Sequence, residues 1–246
     1  MPIAPSVPHS QDALPMFIPL YDDNPLRSIG RQYVTLALIA VTTLIFVVFQ
    51  SGIVLHADRA AALSYGLIPA VVTDYRVLPP GYEQIPEWAT FVTYAFLHGD
   101  WLHLAGNMLF VWVFGDNVED ALGHVRYLAF YLICAAAAAG VHVLLLPQSE
   151  SPLIGASGAA SGIVAAYLLL HPNVRLWVLV FYKIPIPITA AWALGAWIGL
   201  QLLNAFSGGD APVAWWAHVG GLLAGAVLIV VMRRPGVRLF DRNLAR

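Results

Sequence analysis

Six stretches of this chain run without an Asp, Glu, Lys or Arg: Gln32 to Gln50, Trp101 to Gly115, Tyr127 to Leu146, Pro152 to Val174, Ile184 to Phe206 and Ala211 to Met232. A helix that crosses the hydrocarbon layer needs about 20 residues at a rise of 1.5 Å each, so each stretch predicts a membrane-spanning helix. The second is short. It is expected to continue past Asp116 toward Leu122, with Asp116, Glu119 and Asp120 at headgroup level, a re-entrant segment being the alternative on length alone. None has the strict alternation of a membrane-barrel strand, and each is about twice that strand's length. The pattern predicts an all-α, polytopic bundle of six transmembrane helices.

Composition removes the competing classes. Only 11% of the 246 residues are charged, against roughly 25% in a soluble domain, and 59% are hydrophobic. A soluble globule of this size has too little interior for that load. The same content excludes disorder, and the single cysteine, Cys134, excludes a disulfide scaffold. A net charge of −2 offers no broad footprint for nucleic acid.

The distribution of charge orients the bundle. Arg27, Arg31, Arg126, Arg175, Lys183, Arg233, Arg234, Arg238, Arg242 and Arg246 fall on one side of the six spans, and only Arg59 and Arg76 on the other. By the positive-inside rule both termini are expected in the cytoplasm. Residues 1–28 hold Pro2, Pro5, Pro8, Pro15, Pro19 and Pro25 with little periodicity and read as a flexible cytoplasmic tail rather than a signal peptide. Residues 29–232 form the six-span domain and 233–246 a basic cytoplasmic tail. The connection from Ser51 to Asp100 is long and carries Pro79, Pro80, Pro86 and Trp88, which predicts amphipathic structure in the membrane interface.

Polar residues inside a bilayer must find a partner or a water-filled cavity, and they mark function. With this topology spans two, four and six run in the same direction, and His103, Asn107, Ser157 and His218 all fall near their outer ends. At 1.5 Å per residue the four share a layer about 10 Å or less below the outer surface. A serine hydroxyl becomes a nucleophile when a neighbouring base takes its proton, and histidine is suited to that exchange, so Ser157 and His218 can form such a pair. His103 and Asn107, four apart on one helical face, and the backbone N–H groups at the start of span four can supply donors to an oxyanion. Gly155, Gly158 and Ser161 give span four small side chains, and Gly221 and Gly225 form a GxxxG pattern in span six, so the two helices are expected to pack closely.

Other polar residues have plainer readings. Ser161 is expected to bond its own helix, and His142 and His171 to serve interhelical contacts or the interface. His98 reads as interfacial or loop-supporting, and nothing singles out His9, His56 or His124. Glu119 and Arg126 are expected to form a cytoplasmic loop contact, and Cys134 to be a small core residue. Trp88, Trp101, Trp215 and Trp216 fit an aromatic belt.

The residues His-Leu-Ala-Gly-Asn at 103–107, Gly-Ala-Ser-Gly at 155–158 and Ala-His-Val-Gly-Gly at 217–221 followed by Gly225 carry a resemblance. In order and spacing they are similar to the HxxxN, GxSG and HxxGxxxG signatures of the rhomboid intramembrane serine proteases, and the resemblance covers roughly Gln32 to Met232. It implies a serine endopeptidase that cuts the transmembrane segments of membrane proteins near the outer face, within the lipid bilayer. Ser157 would be the nucleophile and His218 its base, with His103, Asn107 and the Ser157 backbone N–H holding the oxyanion. No metal or organic cofactor is implied. Gly208 to Val213 would be a mobile cap over the site. A bacterial plasma membrane is the expected location, with the site open to the periplasmic or extracellular side.

Two features depart from better-known members. Trp88 is followed by Ala89, and Arg76 follows Tyr75, so the usual Trp-Arg pair of the first loop is missing. Ser161 stands where some members stack an aromatic on the histidine, so His218 needs another orienting contact, for which Tyr167 is a candidate. The alternative function is an inactive rhomboid-like protein that binds membrane segments for quality control. A proton-conducting transporter is disfavoured by the apolar inner halves of spans two and six, and no HExxH motif or intramembrane Asp pair supports a zinc or aspartyl protease.

Overall fold

The computed structural model describes residues 17–180, 183–207 and 214–241. The first part of the Pro-rich tail, the expected cap from Gly208 to Val213 and Arg242 to Arg246 lie outside the described residues.

Helices dominate. Helix α1 (Tyr33–Ile45) continues as a π-helical turn over Phe46–Gln50, short α2 (Asp58–Tyr65), α3 (Pro69–Val72) and α4 (Thr90–Thr93) follow, and the long elements are α5 (Trp101–Leu122), α6 (His124–Leu145), α7 (Ser157–Leu170), α8 (Ala190–Ser207) and α9 (Trp215–Met232). Among the described residues, three helices are long and apolar enough to cross a membrane: Tyr33–Gln50, His124–Leu145 and Trp215–Met232. Helix α5 runs unbroken through Asp116 to Leu122, as a continuous helix rather than a re-entrant turn. Its first turn is capped by Asp100, whose carboxylate accepts the His103 N–H at 2.8 Å. Gly123, at φ 83°, ends α5 and lets α6 start at once, because that backbone conformation is open to glycine without strain.

Helix α7 lies at the centre. Every residue from Gly158 to Tyr167 is buried, as expected of a helix that is apolar on all sides and covered on all sides. Helices α5, α6, α8 and α9 pack around it. The closest seam is with α9: a Cβ on Gly221 would overlap the Gly158 carbonyl oxygen, and one on Gly225 would overlap that of Gly162. On the other side, Gly162 faces the Cys134 sulfur and Gly158 faces Ala138 of α6.

Strands β1 (Phe17–Asp22), β2 (Arg175–Val180) and β3 (Ile184–Thr189) form an antiparallel sheet in the order β1-β2-β3. This corrects two expectations. The Pro-rich segment before residue 28 contains a paired strand, with Ile18 opposite Leu179 and Asp22 opposite Leu176. The fifth apolar stretch is helical only from Ala190, because Ile184-Pro185-Ile186-Pro187-Ile188 alternates β-branched residues with prolines that cannot donate to a helix. Proline is tolerated there because β3 is an edge strand.

The chain after β1 is tied to the C-terminal end of α5. Asn24 and Asn117 exchange hydrogen bonds at 2.9 and 3.0 Å, and Asp120 accepts the backbone N–H groups of Arg27, Ser28 and Ile29. Buried Glu119 does not meet Arg126. It accepts from the Val34 and Thr35 backbone N–H groups and the Thr35 hydroxyl at 3.0, 2.8 and 2.7 Å, and lies 2.5 Å from His124 Nδ1. It thereby satisfies donors at the start of α1 that helix geometry leaves unpaired. Arg126 instead donates to the Met232 carbonyl.

The connection between α1 and α5 holds α2, α3, α4 and short 3₁₀ turns. It is anchored beside the chain that leads into α7. Leu67 and Leu153 exchange two backbone bonds, Ala70 donates to the Ser149 carbonyl, and Arg76 pairs with Glu150 at 2.8 Å. Arg76 thus braces this loop through Glu150, with its guanidinium over the Tyr75 ring.

Candidate active site

The approach to α7 fixes the position of its first residue, Ser157. Gly155 N–H donates to the Tyr94 carbonyl at 3.0 Å, and Ala156 N–H to His98 Nε2 at 3.4 Å. Gly155 was expected on a helix-packing face, yet it sits in the turn ahead of α7, at φ 118°. A Cβ there would lie 2.5 Å from His103 Nε2, so both the backbone conformation and the approach of the imidazole require glycine. His98, expected at the interface or under a loop, is fully buried as a brace beneath this turn. Burial holds its imidazole well below the usual range, with His103 adding to the effect.

Ser157 and His218 meet. His218 Nε2 lies 2.8 Å from Ser157 Oγ, and His218 Nδ1 lies 2.7 Å from Gln201 Oε1 of α8. Ser157 is partly exposed and His218 buried. The imidazole is flanked by Trp197, roughly parallel at 6.5 Å, and by Trp215, edge-on at 5.7 Å. His103 and Asn107 come to the turn that precedes the serine: Asn107 Nδ2 donates to the His103 carbonyl at 3.1 Å and sits 3.8 Å from where a Gly155 Cβ would be.

Ser161 donates to the Ser157 carbonyl at 2.7 Å, within its own helix. Tyr167 plays no part at His218: its hydroxyl donates to Asp22 of β1 at 2.5 Å, toward the opposite end of α7. Besides Ser157, the His218 ring contacts the side chains of Gln201, Trp197 and Trp215. Gln201 carried a signal in the sequence, since an amide inside an apolar span must find a partner. Gln201 lies in the fifth apolar stretch, apart from the three motifs at His103–Asn107, Gly155–Gly158 and His218–Gly225, so no motif spacing points to it. Among the described residues no group of three or more His, Cys, Asp or Glu side chains converges on a metal position.

Residues 86–235 match the family model described as the Rhomboid domain. The chain is 30% identical over 178 residues to Rhomboid-like protein 11, chloroplastic, of Arabidopsis thaliana, an alignment covering 67% of this chain and 60% of that protein. It is 30% identical over 160 residues to Rhomboid protease GluP of Bacillus subtilis, covering 64% and 29% of the two chains. It is 29% identical over 163 residues to Rhomboid protease AarA of Providencia stuartii, covering 58% and 56%. The chain belongs to the rhomboid family, a family of polytopic integral membrane proteins that includes serine proteases. It spans 29 to 60% of the length of these three relatives.

Proposed function

We propose that this protein is an intramembrane serine endopeptidase that works through a Ser157–His218 dyad on the transmembrane segments of other membrane proteins. The observation that carries the reading is the pair of contacts at the imidazole, 2.8 Å to Ser157 Oγ and 2.7 Å to Gln201 Oε1. A base must lie within hydrogen-bond reach of the proton it takes, about 2.6 to 3.2 Å, and this one does.

In the first step Ser157 Oγ attacks the scissile carbonyl carbon while its proton passes to His218 Nε2. The carbonyl oxygen becomes an oxyanion, held by the Ser157 backbone N–H at the start of α7 together with His103 Nε2–H and the second N–H of Asn107 Nδ2. Collapse breaks the C–N bond, the Nε2 proton goes to the leaving amine, and an ester remains on Ser157. Water then attacks the ester, giving its proton to His218, and the carboxylic acid departs as Oγ recovers the proton.

Two finer readings belong to the same proposal. The bundle has six spans, with α5, α7 and α8 joining the three long apolar helices. The termini lie on the cytoplasmic side and Ser157 opens toward the other, an orientation supported by the clustering of ten basic residues on one side. The second functional reading, an inactive membrane-segment binder, draws on relatives named rhomboid-like rather than protease. The 2.8 Å approach of His218 Nε2 to Ser157 Oγ supports the enzyme reading.

Fluorophosphonate labelling of the detergent-solubilised protein, with mass spectrometry to locate the adduct, tests the proposal. A mark on Ser157, absent in Ser157→Ala, is the expected result. A folded protein that neither labels nor cleaves a transmembrane peptide sinks the enzyme reading in favour of binding.

A further inference from the structure

We propose that Gln201 is a positioning residue for His218, fixing the imidazole tautomer that leaves Nε2 free to take the Ser157 proton. The proposal rests on the serine-protease reading and adds to it a third participant, carried by a separate helix.

A neutral imidazole has one N–H, and the partner of one nitrogen decides which nitrogen holds it. Gln201 Oε1, a lone-pair acceptor, faces Nδ1 at 2.7 Å, so the proton sits on Nδ1 and is donated to the amide oxygen. Nε2 is then an acceptor, facing the Ser157 hydroxyl at 2.8 Å. With the proton on Nε2 instead, the imidazole would donate to Oγ and could not act as its base. When Nε2 takes the serine proton the Nδ1–H bond to Gln201 persists, so the ring keeps its orientation until the proton passes to the leaving amine.

Among the described residues, no other side chain hydrogen-bonds Nδ1. Trp197 and Trp215 flank its face and edge, but an indole N–H only donates and cannot accept from Nδ1. Ser161 is bonded to its own helix and Tyr167 to Asp22.

Packing does not explain the amide either. Helix α8 buries Ala190, Ala193, Leu194, Gln201 and Ala205 and exposes Trp192, Leu203 and Phe206. Gln201 is the one polar side chain among those five. A buried amide costs stability unless it is hydrogen-bonded, so an apolar residue would serve a packing role better. A carboxylate would do the same orienting work at a far larger desolvation cost, and the amide supplies the acceptor without a charge. Because Gln201 is on α8 and His218 on α9, the acceptor is in place only while α8 is seated against α9.

The test compares Gln201→Met and Gln201→Glu in the full-length protein in detergent, using a transmembrane peptide substrate and fluorophosphonate labelling, with thermal melting alongside. Methionine fills the same space without an acceptor, and glutamate keeps an acceptor oxygen whether or not it is ionised. Gln201→Met should lower kcat by about 10- to 100-fold with KM within about twofold, by analogy with the loss when the partner that orients a metal-bound histidine is removed. Gln201→Glu should return kcat to within about fivefold of the wild type, by the same reasoning. A Gln201→Met enzyme as fast as wild type, or a Gln201→Glu enzyme as slow as Gln201→Met, overturns the proposal. Should neither variant fold, ¹⁵N-histidine spectra of the wild type, with His218→Gln as the blank, decide it: protonation at Nδ1 supports the assignment and protonation at Nε2 refutes it. A wild type that neither labels nor cleaves points to failure of the protease reading itself, which separates the two outcomes.

Discussion

The carbonyl oxygen of Gly158 occupies the space that a Cβ on Gly221 would need. That one contact sets how near α9 can come to α7, and the Gly162–Gly225 contact repeats it one turn along. His218 stands three residues before Gly221 and Ser157 one residue before Gly158, so the seam of backbone against backbone brings their side chains to 2.8 Å.

Gly221→Ala should therefore damage both stability and chemistry. The methyl group meets backbone rather than a movable side chain, and overpacking of this kind costs about 1 to 3 kcal/mol. Melting in detergent should drop and fluorophosphonate labelling of Ser157 should fall sharply. Gly140→Ala inside α6, where nothing lies within 4 Å of the new Cβ, should leave labelling unchanged and hold or slightly raise melting.

Alanine at Ser157 or at His218 should abolish cleavage; Ser157→Ala should leave melting nearly intact, whereas His218→Ala leaves the buried Gln201 amide without its partner and should also lower melting. Ser161→Ala should stay active, because the Ser161 hydroxyl is spent on the Ser157 carbonyl. Inactivation by Ser161→Ala alone would displace Ser157 as nucleophile. Asn107→Ala should slow turnover by less than the dyad variants, since losing one oxyanion donor costs about 2.7 to 4 kcal/mol and the others remain. A kcat series on one transmembrane substrate checks all four.

The strand β1 gives the fold a pH dependence of its own. Burial pushes the Asp22 carboxyl up to about 6, partly opposed by the Tyr167 hydroxyl. The folded protein therefore binds this proton more tightly than the unfolded chain does. The resulting stability is fully present below about pH 4 and is lost as pH rises through about 6. Asp22→Asn removes the titration, so relative to wild type the variant should gain roughly 1 to 3 kcal/mol between pH 4 and 7. Melting curves of both proteins across that range test it, and a constant difference would refute the linkage.

Glu119→Ala should be among the most destabilising single changes. It strips the Val34 and Thr35 donors and His124 of their shared acceptor in a fully buried position. Leaving buried donors unpaired costs about 1 to 3 kcal/mol each before relaxation, so a loss of roughly 2 to 4 kcal/mol is expected. Glu119→Gln, which keeps one acceptor oxygen, should recover part of it by the same measurement.

Much of this architecture was legible along the chain. Uninterrupted apolar runs became helices wherever residues with helical backbone freedom filled them, and α5 continued to Leu122 as its length required. The alignment of His103, Asn107, Ser157 and His218 near one end of their helices followed from direction and spacing. Ile184 to Thr189 is not legible as a strand from hydrophobicity alone, which does not distinguish a helix from a Pro-interrupted strand. The β1 strand is not legible because its partner, β2, is more than a hundred residues away.

The sequence by itself determined the class of solvent, the helical segments, the small-residue faces and the residue types able to do serine chemistry, since these depend on composition and local period. Only the tertiary structure decided that Asp22 rather than His218 takes the Tyr167 hydroxyl, that Glu119 caps α1 and that Gln201 of α8 reaches His218 Nδ1. Those choices are hydrogen bonds between distant segments, and no period in the chain encodes which donor a folded backbone will carry to which acceptor.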